Sequence, residues 1–204
     1  MREELDKNLC SKYPELFKHR HADPQFTPMA WGFDCGDGWY NLIDALCNTI
    51  TNREQNVERD RQYNRDYAKM REAALEGDWS LFNDRYLETQ IGGLKNKETN
   101  KYVDWIQQQR DHLLGEIPAW LQNVEPVDRT ICEQVKEKFG GLRFYFMSGD
   151  EFVHGAVALA ERMSYTICEE CGEPGKLRSG GWMRTLCDRH AAKYDYMDTE
   201  DLDK

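Results

Sequence analysis

The segment CEECG at residues 168–172 is followed by the segment CDRH at residues 187–190. Together they form the pattern Cys-x2-Cys, fifteen residues, Cys-x2-His. Three thiolates and one imidazole make a complete tetrahedral ligand set for Zn²⁺, and each two-residue spacing lets both side chains of a pair reach one ion. The pattern predicts one Zn²⁺ per chain, held by Cys168, Cys171, Cys187 and His190. Because all four ligands are protein groups, we expect a structural ion rather than a catalytic one.

The residues around these ligands predict the local structure of a zinc module over residues 165–194. Gly172 follows the first pair, where a tight knuckle needs a residue that tolerates positive φ. Residues 176–178 and 182–186 flank the turn sequence SGG, which is a strand-turn-strand pattern. Residues 190–194 favour a helix, so the second ligand pair is expected in its first turn. A knuckle, a hairpin and a helix in this order are typical of a treble-clef zinc module.

Composition limits the class of protein. The chain has 204 residues, of which 40% are hydrophobic and 31% charged, and this indicates a folded protein with a strongly hydrated surface. It contains no run of eighteen apolar residues, so we expect no membrane span. The first residues lack the apolar region of a secretion signal, and seven cysteines in such a chain indicate a reducing compartment. The expected location is the cytoplasm.

The net charge of -10 argues against broad capture of nucleic acid. Acidic residues outnumber basic ones in each of the stretches 1–50, 51–126 and 127–204. A local basic group nevertheless lies on the zinc module and comprises Lys176, Arg178, Arg184 and Arg189. Acidic residues in the same module dilute it. Nucleic-acid binding through a zinc finger is therefore kept as an alternative.

The order of motifs divides the chain into five parts. They are the N-terminal part of the core at 1–51, a charged helical insertion at 52–126, a helix-strand-helix part of the core at 127–164, the zinc module at 165–194, and an acidic tail at 195–204. The insertion begins where the composition shifts to Arg, Glu, Gln and Asn with only a narrow apolar stripe. The predicted fold class is α+β and helix-rich, with a small sheet, the zinc module and the helical insertion.

Three elements are predicted in the part of the core at 127–164. Val127, Ile131, Val135 and Phe139 recur every four residues, which predicts a helix opened by Pro126. The aromatic run at 142–146 predicts a strand. Asp150 is placed to cap the helix that leads into the zinc module.

The turn DCGDGWY at residues 34–40 is a candidate ligand site. Its Asp37 is expected to cap the following helix. A small-molecule pocket here would be lined by Trp31, Asp34, Asp37, Trp39 and Tyr40. The alternative interpretation is a structural corner.

Several of these segments together carry a family resemblance. They are QVKEKFGGLRFY at residues 134–145, the helix after it, and the CxxCG, GGW and TLCDxH segments of the zinc end. This combination resembles small proteins encoded by bacteriophages and prophages, and GFDCGDGW at residues 32–39 is similar to their N-terminal part. The resemblance implies a core at 26–51 and 127–193, a variable insertion at 52–126, a bacterial host cell and a zinc site. It implies no activity.

The absence of catalytic motifs decides the functional prediction. The chain has no Ser-His-Asp order, P-loop or GxGxxG, and its zinc hairpin has no His, which HNH-class nucleases need there. We therefore predict a non-catalytic protein that binds a host protein, with defence proteins among the candidates, or a small signal molecule. A nucleic-acid-binding zinc finger is the first alternative, and a metal-dependent enzyme is the second. The helical insertion would serve as a partner or oligomer surface.

Overall fold

The computed structural model describes residues 1–88 and 99–198. It is helix-rich, with a small mixed sheet and a Cys/His cluster near the C-terminus. The chain divides into two compact units, one formed by Met1–Gln55 with Asp128–Lys204 and the other by Asn56–Val127. None of the helices in the described ranges is long and apolar enough to cross a membrane.

The elements of the described ranges are as follows. The α-helices are α1 (Glu3–Lys12), α2 (Tyr40–Leu75), α3 (Ser80–Asn83), α4 (Thr99–Leu114), α5 (Glu151–Ser164) and α6 (Asp188–Lys193). The strands are β1 (Phe33–Asp34), β2 (Ile131–Lys138), β3 (Gly141–Met147), β4 (Lys176–Ser179), β5 (Arg184–Leu186) and β6 (Met197–Asp198). Short 3-10 turns occur at Pro28–Trp31, Asp37–Trp39 and Ala119–Leu121, and a π-helical turn occurs at Asp84–Glu88.

The first unit is built on a three-stranded sheet in the order β1-β2-β3. β1 runs parallel to β2, and β2 pairs antiparallel with β3. The buried face of this sheet carries Cys132, Val135, Leu142 and Phe144, which pack with apolar residues of α1 and the first part of α2. Reduced cysteines outside a metal pattern are expected to behave as small apolar core residues, and Cys47 and Cys132 are both fully buried.

The helix predicted after Pro126 is wrong, because residues 131–138 form strand β2. The four-residue repeat does not match the burial: Val135 is fully buried, but Phe139 is 56% exposed. Phe139 and Gly140 form the two-residue turn to β3, with φ values of 55° and 78°. Two successive positive φ values are typical of the hairpin turns that match strand twist. Pairing with β3 therefore outweighs the local helical pattern.

The strand predicted at 142–146 and the helix predicted after Asp150 are both confirmed. Strand β3 covers the aromatic run, and the Asp150 carboxylate accepts a hydrogen bond from the Val153 N–H at 3.0 Å as the N-cap of α5. β3 is an edge strand, and α5 covers that edge with side chains. The N–H of Leu142 donates to Ser164 Oγ at 2.8 Å, and the N–H of Phe144 donates to Glu161 Oε1 at 2.9 Å.

The second unit is helical. The sequence predicts one helix before Thr51 and another after it, but both belong to the single helix α2, which contributes residues to both units. The core of the second unit consists of Tyr67, Met70, Ala74, Phe82, Leu113 and Leu121. As a residue type that favours helix N-termini, Asn100 is expected to cap α4, but the helix begins one residue earlier, at Thr99. The paired glycines Gly92-Gly93 predict a helix end, and they lie outside the described residues.

The C-terminal part of the chain contains the second sheet, in the order β5-β4-β6. The predicted hairpin is confirmed as β4 and β5, which pair antiparallel from Lys176↔Leu186 to Arg178↔Arg184. Strand β6 comes from the segment predicted as an acidic tail and pairs with β4, with Arg178 opposite Asp198. Residues 199–204 lie outside the described residues.

Candidate metal centre

The four predicted ligand residues lie together. One ligand atom from each of Cys168, Cys171, Cys187 and His190 lies within 4.8 Å of all the others. The Sγ atoms of Cys171 and Cys187 are 3.8 Å apart. His190 Nδ1 lies 3.4 Å from Cys168 Sγ and 3.3 Å from Cys187 Sγ. The donor atoms therefore converge on one point.

These distances match the edges of a metal-centred tetrahedron. With Zn–S bonds of about 2.3 Å and a Zn–N bond of about 2.0 Å, ideal tetrahedral geometry separates the ligand atoms by roughly 3.5–3.8 Å. The three sulfur–sulfur and sulfur–nitrogen distances given above lie close to this range. The donor set and its geometry are thus compatible with a metal site.

Local backbone structure positions each ligand pair. Gly172 has a φ of 79° and turns the chain immediately after the first pair, as predicted. The Gly172 N–H donates to the Cys168 carbonyl at 2.8 Å and closes the knuckle. Cys187 is the N-cap residue of α6, and His190 is the third residue of that helix. Both residues of the second pair therefore project from the start of the helix.

A loop from the N-terminal part of the chain holds the knuckle in place. The N–H of Gly38 donates to the Glu169 carbonyl at 2.7 Å, and the Trp39 indole N–H donates to the Ile167 carbonyl at 2.9 Å. A methyl group at Gly38 would overlap the Cys168 carbonyl and the Gly172 N–H. Glycine is therefore required at position 38 for the two backbones to approach this closely. The Cys/His cluster is attached to the core through this contact.

Glu169 connects the knuckle to two other segments, and the sequence analysis did not identify it. Its carboxylate is buried, accepts a hydrogen bond from the Gly36 N–H at 2.9 Å and pairs with the Arg184 guanidinium at 3.1 Å. Burial raises the pKa of Glu169, and Arg184 and Gly36 act in the opposite direction. The sequence feature that could have pointed to Glu169 is the pair of glutamates between the two cysteines of the knuckle.

The thiol groups of the cluster differ in how easily they ionise. Burial raises the pKa of the Cys168 thiol. Burial also opposes ionisation of Cys187, but the N–H of His190 and the neighbouring sulfur atoms outweigh it, so the pKa of Cys187 is lowered. A hydrogen bond to Cys171 raises the pKa of the Arg189 guanidinium. The positive charge of this group lies beside the sulfur atoms. Because a thiolate is the metal-binding form, Cys187 is better prepared for ligation than Cys168.

The residues predicted to line a ligand pocket have different environments. Trp39 is fully buried in the core, whereas Trp31 is 78% exposed. Asp34 is exposed at the end of β1, and Tyr40 is half-buried at the start of α2. Since Trp39 belongs to the core, it is not available as the wall of an open pocket. The structural-corner interpretation fits this segment better.

Asp37 is not the cap of helix α2. The residue lies in the 3-10 turn Asp37–Trp39, whose N-cap is Gly36. Its carboxylate instead accepts a hydrogen bond from the Arg2 backbone N–H at 2.8 Å and pairs with the Arg2 guanidinium at 3.2 Å. The prediction failed because a cationic partner from a distant part of the chain takes up this carboxylate.

Two members of the predicted basic group are neutralised within the module. Arg178 is buried and pairs with Asp188. Arg184 pairs with the carboxylates of Glu169 and Glu170. Of the other two members, Arg189 interacts with cluster sulfur atoms, and Lys176 is exposed at the start of β4. Three of the four basic side chains therefore interact with groups of the module itself.

Comparisons of the chain with protein-family models, with curated proteins and with solved structures found no match.

Proposed function

We propose that Cys168, Cys171, Cys187 and His190 hold one structural Zn²⁺ and that the surrounding residues form a treble-clef module. The observation that carries this proposal is the convergence of three sulfur atoms and one imidazole nitrogen within 4.8 Å. Three cysteines and one histidine are a recurrent structural zinc set, and four protein ligands leave no coordination position for a substrate. The order of knuckle, hairpin and helix supports the treble-clef assignment.

The protein as a whole is, in this proposal, a non-catalytic binding protein of bacteriophage origin that acts in a bacterial cytoplasm. The closed ligand set supports a metal that stabilises the fold, and the family resemblance supports the origin. The partner is a host protein, and the helical unit Asn56–Val127 is the inserted segment that binds it. Large apolar side chains exposed on this unit support a protein-binding surface; they are Leu75, Leu81, Val103, Leu114, Ile117 and Trp120. A second copy of the chain is a further occupant that suits this surface.

A small signal molecule is the second candidate partner. A cleft of about 430 Å³ in the first unit supports it, because this volume lies within the range of ligand pockets. The cleft is lined by α1 and the segment after it, and Arg20 lies in its wall. The Arg20 guanidinium is held by the Asp6 carboxylate at 2.9 Å and by the Ala30 carbonyl at 2.9 Å. Binding of nucleic acid through the zinc hairpin has less support, since Arg178 and Arg184 already pair with carboxylates.

The test is affinity purification of the full chain from host cells, followed by native mass spectrometry. We expect one zinc per chain and a co-purifying host protein. A double variant with Leu81→Glu and Trp120→Glu should lose the host protein and keep the zinc, because both side chains are exposed on the helical unit. If wild type and variant retain the same proteins, the helical unit is not the binding surface. A retained small molecule without a protein would favour the second candidate.

A further inference from the structure

The outer face of the hairpin β2–β3 carries a group of cations that the functional proposal does not use. Val135 and Phe144 lie opposite each other on the buried face of the sheet. Side chains alternate along a strand, so the residues next to Val135 on β2 and next to Phe144 on β3 point to the opposite face of the sheet. That outer face carries Lys136 and Lys138 from β2 and Arg143 and Tyr145 from β3. These four residues form the basic face.

The cations of the basic face repel one another. Lys136 lies directly opposite Arg143 in the antiparallel register, an arrangement that destabilises a sheet when both residues carry the same charge. Lys138 lies two residues further along β2, about 7 Å from Lys136. Asp34 lies beside Lys136 on β1, yet no ion pair joins them. Within the described part of the chain, none of the three cations forms an ion pair with a carboxylate, although the protein carries a net charge of -10.

Exposed aromatic rings accompany these cations. Tyr145 is 42% exposed, and the Lys136 Nζ atom lies 5.4 Å from the centroid of its ring. Phe139, in the turn that joins the two strands, is 56% exposed and lies 5.4 Å from the Lys138 Nζ atom. A row of cations with exposed rings beside it is the arrangement that binds single-stranded nucleic acid, since cations hold phosphates and rings stack on bases.

The guanidinium group of Arg143 is held in a fixed position on this face. One of its amino groups donates to the Leu142 carbonyl, and the other donates to the Tyr165 hydroxyl at 2.9 Å. This leaves the remaining N–H donors for a ligand, because a guanidinium has five in all. A pre-positioned guanidinium suits phosphate recognition, as less conformational freedom is lost on binding.

We propose that the basic face binds single-stranded nucleic acid, with Lys136, Lys138 and Arg143 on the phosphates and Tyr145 stacked on a base. The acidic remainder of the protein restricts the contact to a short stretch of nucleotides. An acidic peptide would use the cations and leave the rings without a role, so the exposed rings favour nucleic acid. The basic face belongs to the first unit, whereas the proposed host-protein surface belongs to the second.

The test is fluorescence anisotropy of labelled twelve-residue oligo-dT and oligo-U with the zinc-loaded full chain. Three phosphate contacts predict that log K falls with log salt at a slope of about -2 for a single strand. The affinity should therefore fall about 15-fold between 50 and 200 mM salt. Equal binding of the two oligonucleotides would assign recognition to phosphate and base, and preference for oligo-U would assign a contact to the 2′-hydroxyl.

Three variants separate the parts of this surface. Lys136→Gln with Lys138→Gln leaves one phosphate contact, so the salt slope should become shallower, changing from about -2 to about -0.7. Tyr145→Ala should weaken binding about tenfold without changing the slope, whereas Tyr145→Phe should bind like wild type because it keeps the ring. The matched control is Arg59→Gln with Lys69→Gln, which removes the same charge from exposed positions of α2 and should leave affinity unchanged.

Three outcomes would overturn the proposal. The first is no binding of either oligonucleotide at 25 mM salt by protein that carries zinc and has wild-type circular dichroism. The second is an equal loss of affinity in the control pair and the lysine pair. The third is tighter binding of a polyglutamate peptide than of the oligonucleotides, with no effect of Tyr145→Ala, which would assign the surface to an acidic protein.

Discussion

The zinc end, residues 165–194, and the helical unit Asn56–Val127 differ in how many apolar side chains they bury. The hydrophobic cluster of the zinc end contains only Cys168, Leu186 and Ala191 as buried members. The cluster of the helical unit contains six, including Tyr67 and Phe82, and aromatic contacts extend it. A segment with so little buried apolar surface needs another source of stability, such as a metal. The helical unit has the larger buried cluster, so we expect it to stay folded without a metal.

Removal of the metal should have the largest effect on stability, and this effect should be confined to the zinc end. Cys171→Ser, or thorough chelation of the wild type, should abolish zinc binding and unfold the zinc end. Structural zinc contributes roughly 10 kcal/mol or more to the folding of small zinc domains. Far-ultraviolet circular dichroism should still report the helices of the second unit, and zinc should be absent by metal analysis.

The control for this experiment is Cys10→Ser. Cys10 is a half-buried thiol outside the cluster, and it hydrogen-bonds to Asp6. A serine hydroxyl can make the same bond, so zinc content and melting temperature should stay close to those of wild type. An unchanged melting temperature after chelation of the wild type would contradict the structural role of the metal.

The second expected effect lies in the helical unit. Phe82 is fully buried and packs edge-on against Trp79, so Phe82→Ala leaves a cavity. Such truncations cost about 3–5 kcal/mol in the free energy of unfolding. Zinc content should be unchanged, because the ligands lie in the other unit. Urea denaturation and metal analysis measure the two quantities separately.

Leu81→Ala is the matched control, since this neighbouring side chain is 45% exposed. Its effect should stay within about 0.5 kcal/mol. Loss of zinc in Phe82→Ala would show that the two regions do not have independent sources of stability.

The third effect tests the contact that holds the knuckle. In Gly38→Ala the added methyl group meets the Cys168 carbonyl and the Gly172 N–H, and the backbones must separate. We expect a loss of about 1–3 kcal/mol and faster transfer of zinc to a chromogenic chelator. Stopped-flow absorbance measures the transfer rate.

Gly155→Ala is the control, because it adds the same methyl group at a position with free space around it. A Cβ at this exposed position of α5 meets no atom within 4 Å, so alanine should stabilise the helix by about 0.5–1 kcal/mol. Zinc transfer at the wild-type rate in Gly38→Ala would contradict the proposal that the contact at Gly38 holds the knuckle in place.

The smallest effect concerns Asp150 and depends on pH. Burial raises the pKa of this carboxyl, but the Val153 N–H and the Arg53 guanidinium outweigh it, so the pKa lies below the usual value of 3.8. A lowered folded-state pKa means that the contribution to stability is complete above about pH 4 and is lost as the pH falls through the folded-state value. Asp150→Ala should cost about 1 kcal/mol at pH 7. Urea denaturation of both proteins with zinc removed should give a smaller difference at pH 3.

Asp150→Asn separates the cap from the charge. Asparagine caps helices as well as aspartate does, so most of the stability should remain, without the pH dependence. A loss in Asp150→Asn as large as that in Asp150→Ala would assign the effect to the pair with Arg53 instead.

The parts that the sequence predicted correctly depend on short-range spacing. The two ligand pairs, the hairpin after Gly172 and the cap at Asp150 each involve residues a few positions apart, and their chemistry is readable within one window. That the two pairs form one cluster could be predicted because a metal ion prefers four such ligands in a tetrahedron. For these features, local pattern and final structure agree.

The parts that the sequence missed depend on residues far apart in the chain. The hydrogen bond between Gly36 and Glu169 spans 133 positions, and no local pattern reports it. The error at β2 has the same origin, because a repeat of four in a polar segment also fits a strand once β3 supplies partners for its backbone. Asp37 was assigned to the nearest helix, although its partner is Arg2.

The most direct test of the metal centre is X-ray absorption spectroscopy at the zinc edge on protein purified from the producing cell, combined with metal analysis. We expect one zinc per chain, with three sulfur ligands at about 2.3 Å and one nitrogen ligand at about 2.0 Å. A shell with fewer sulfur atoms and an oxygen ligand would indicate an open site and contradict the structural role. Protein that is fully folded and free of metal would contradict the metal centre itself.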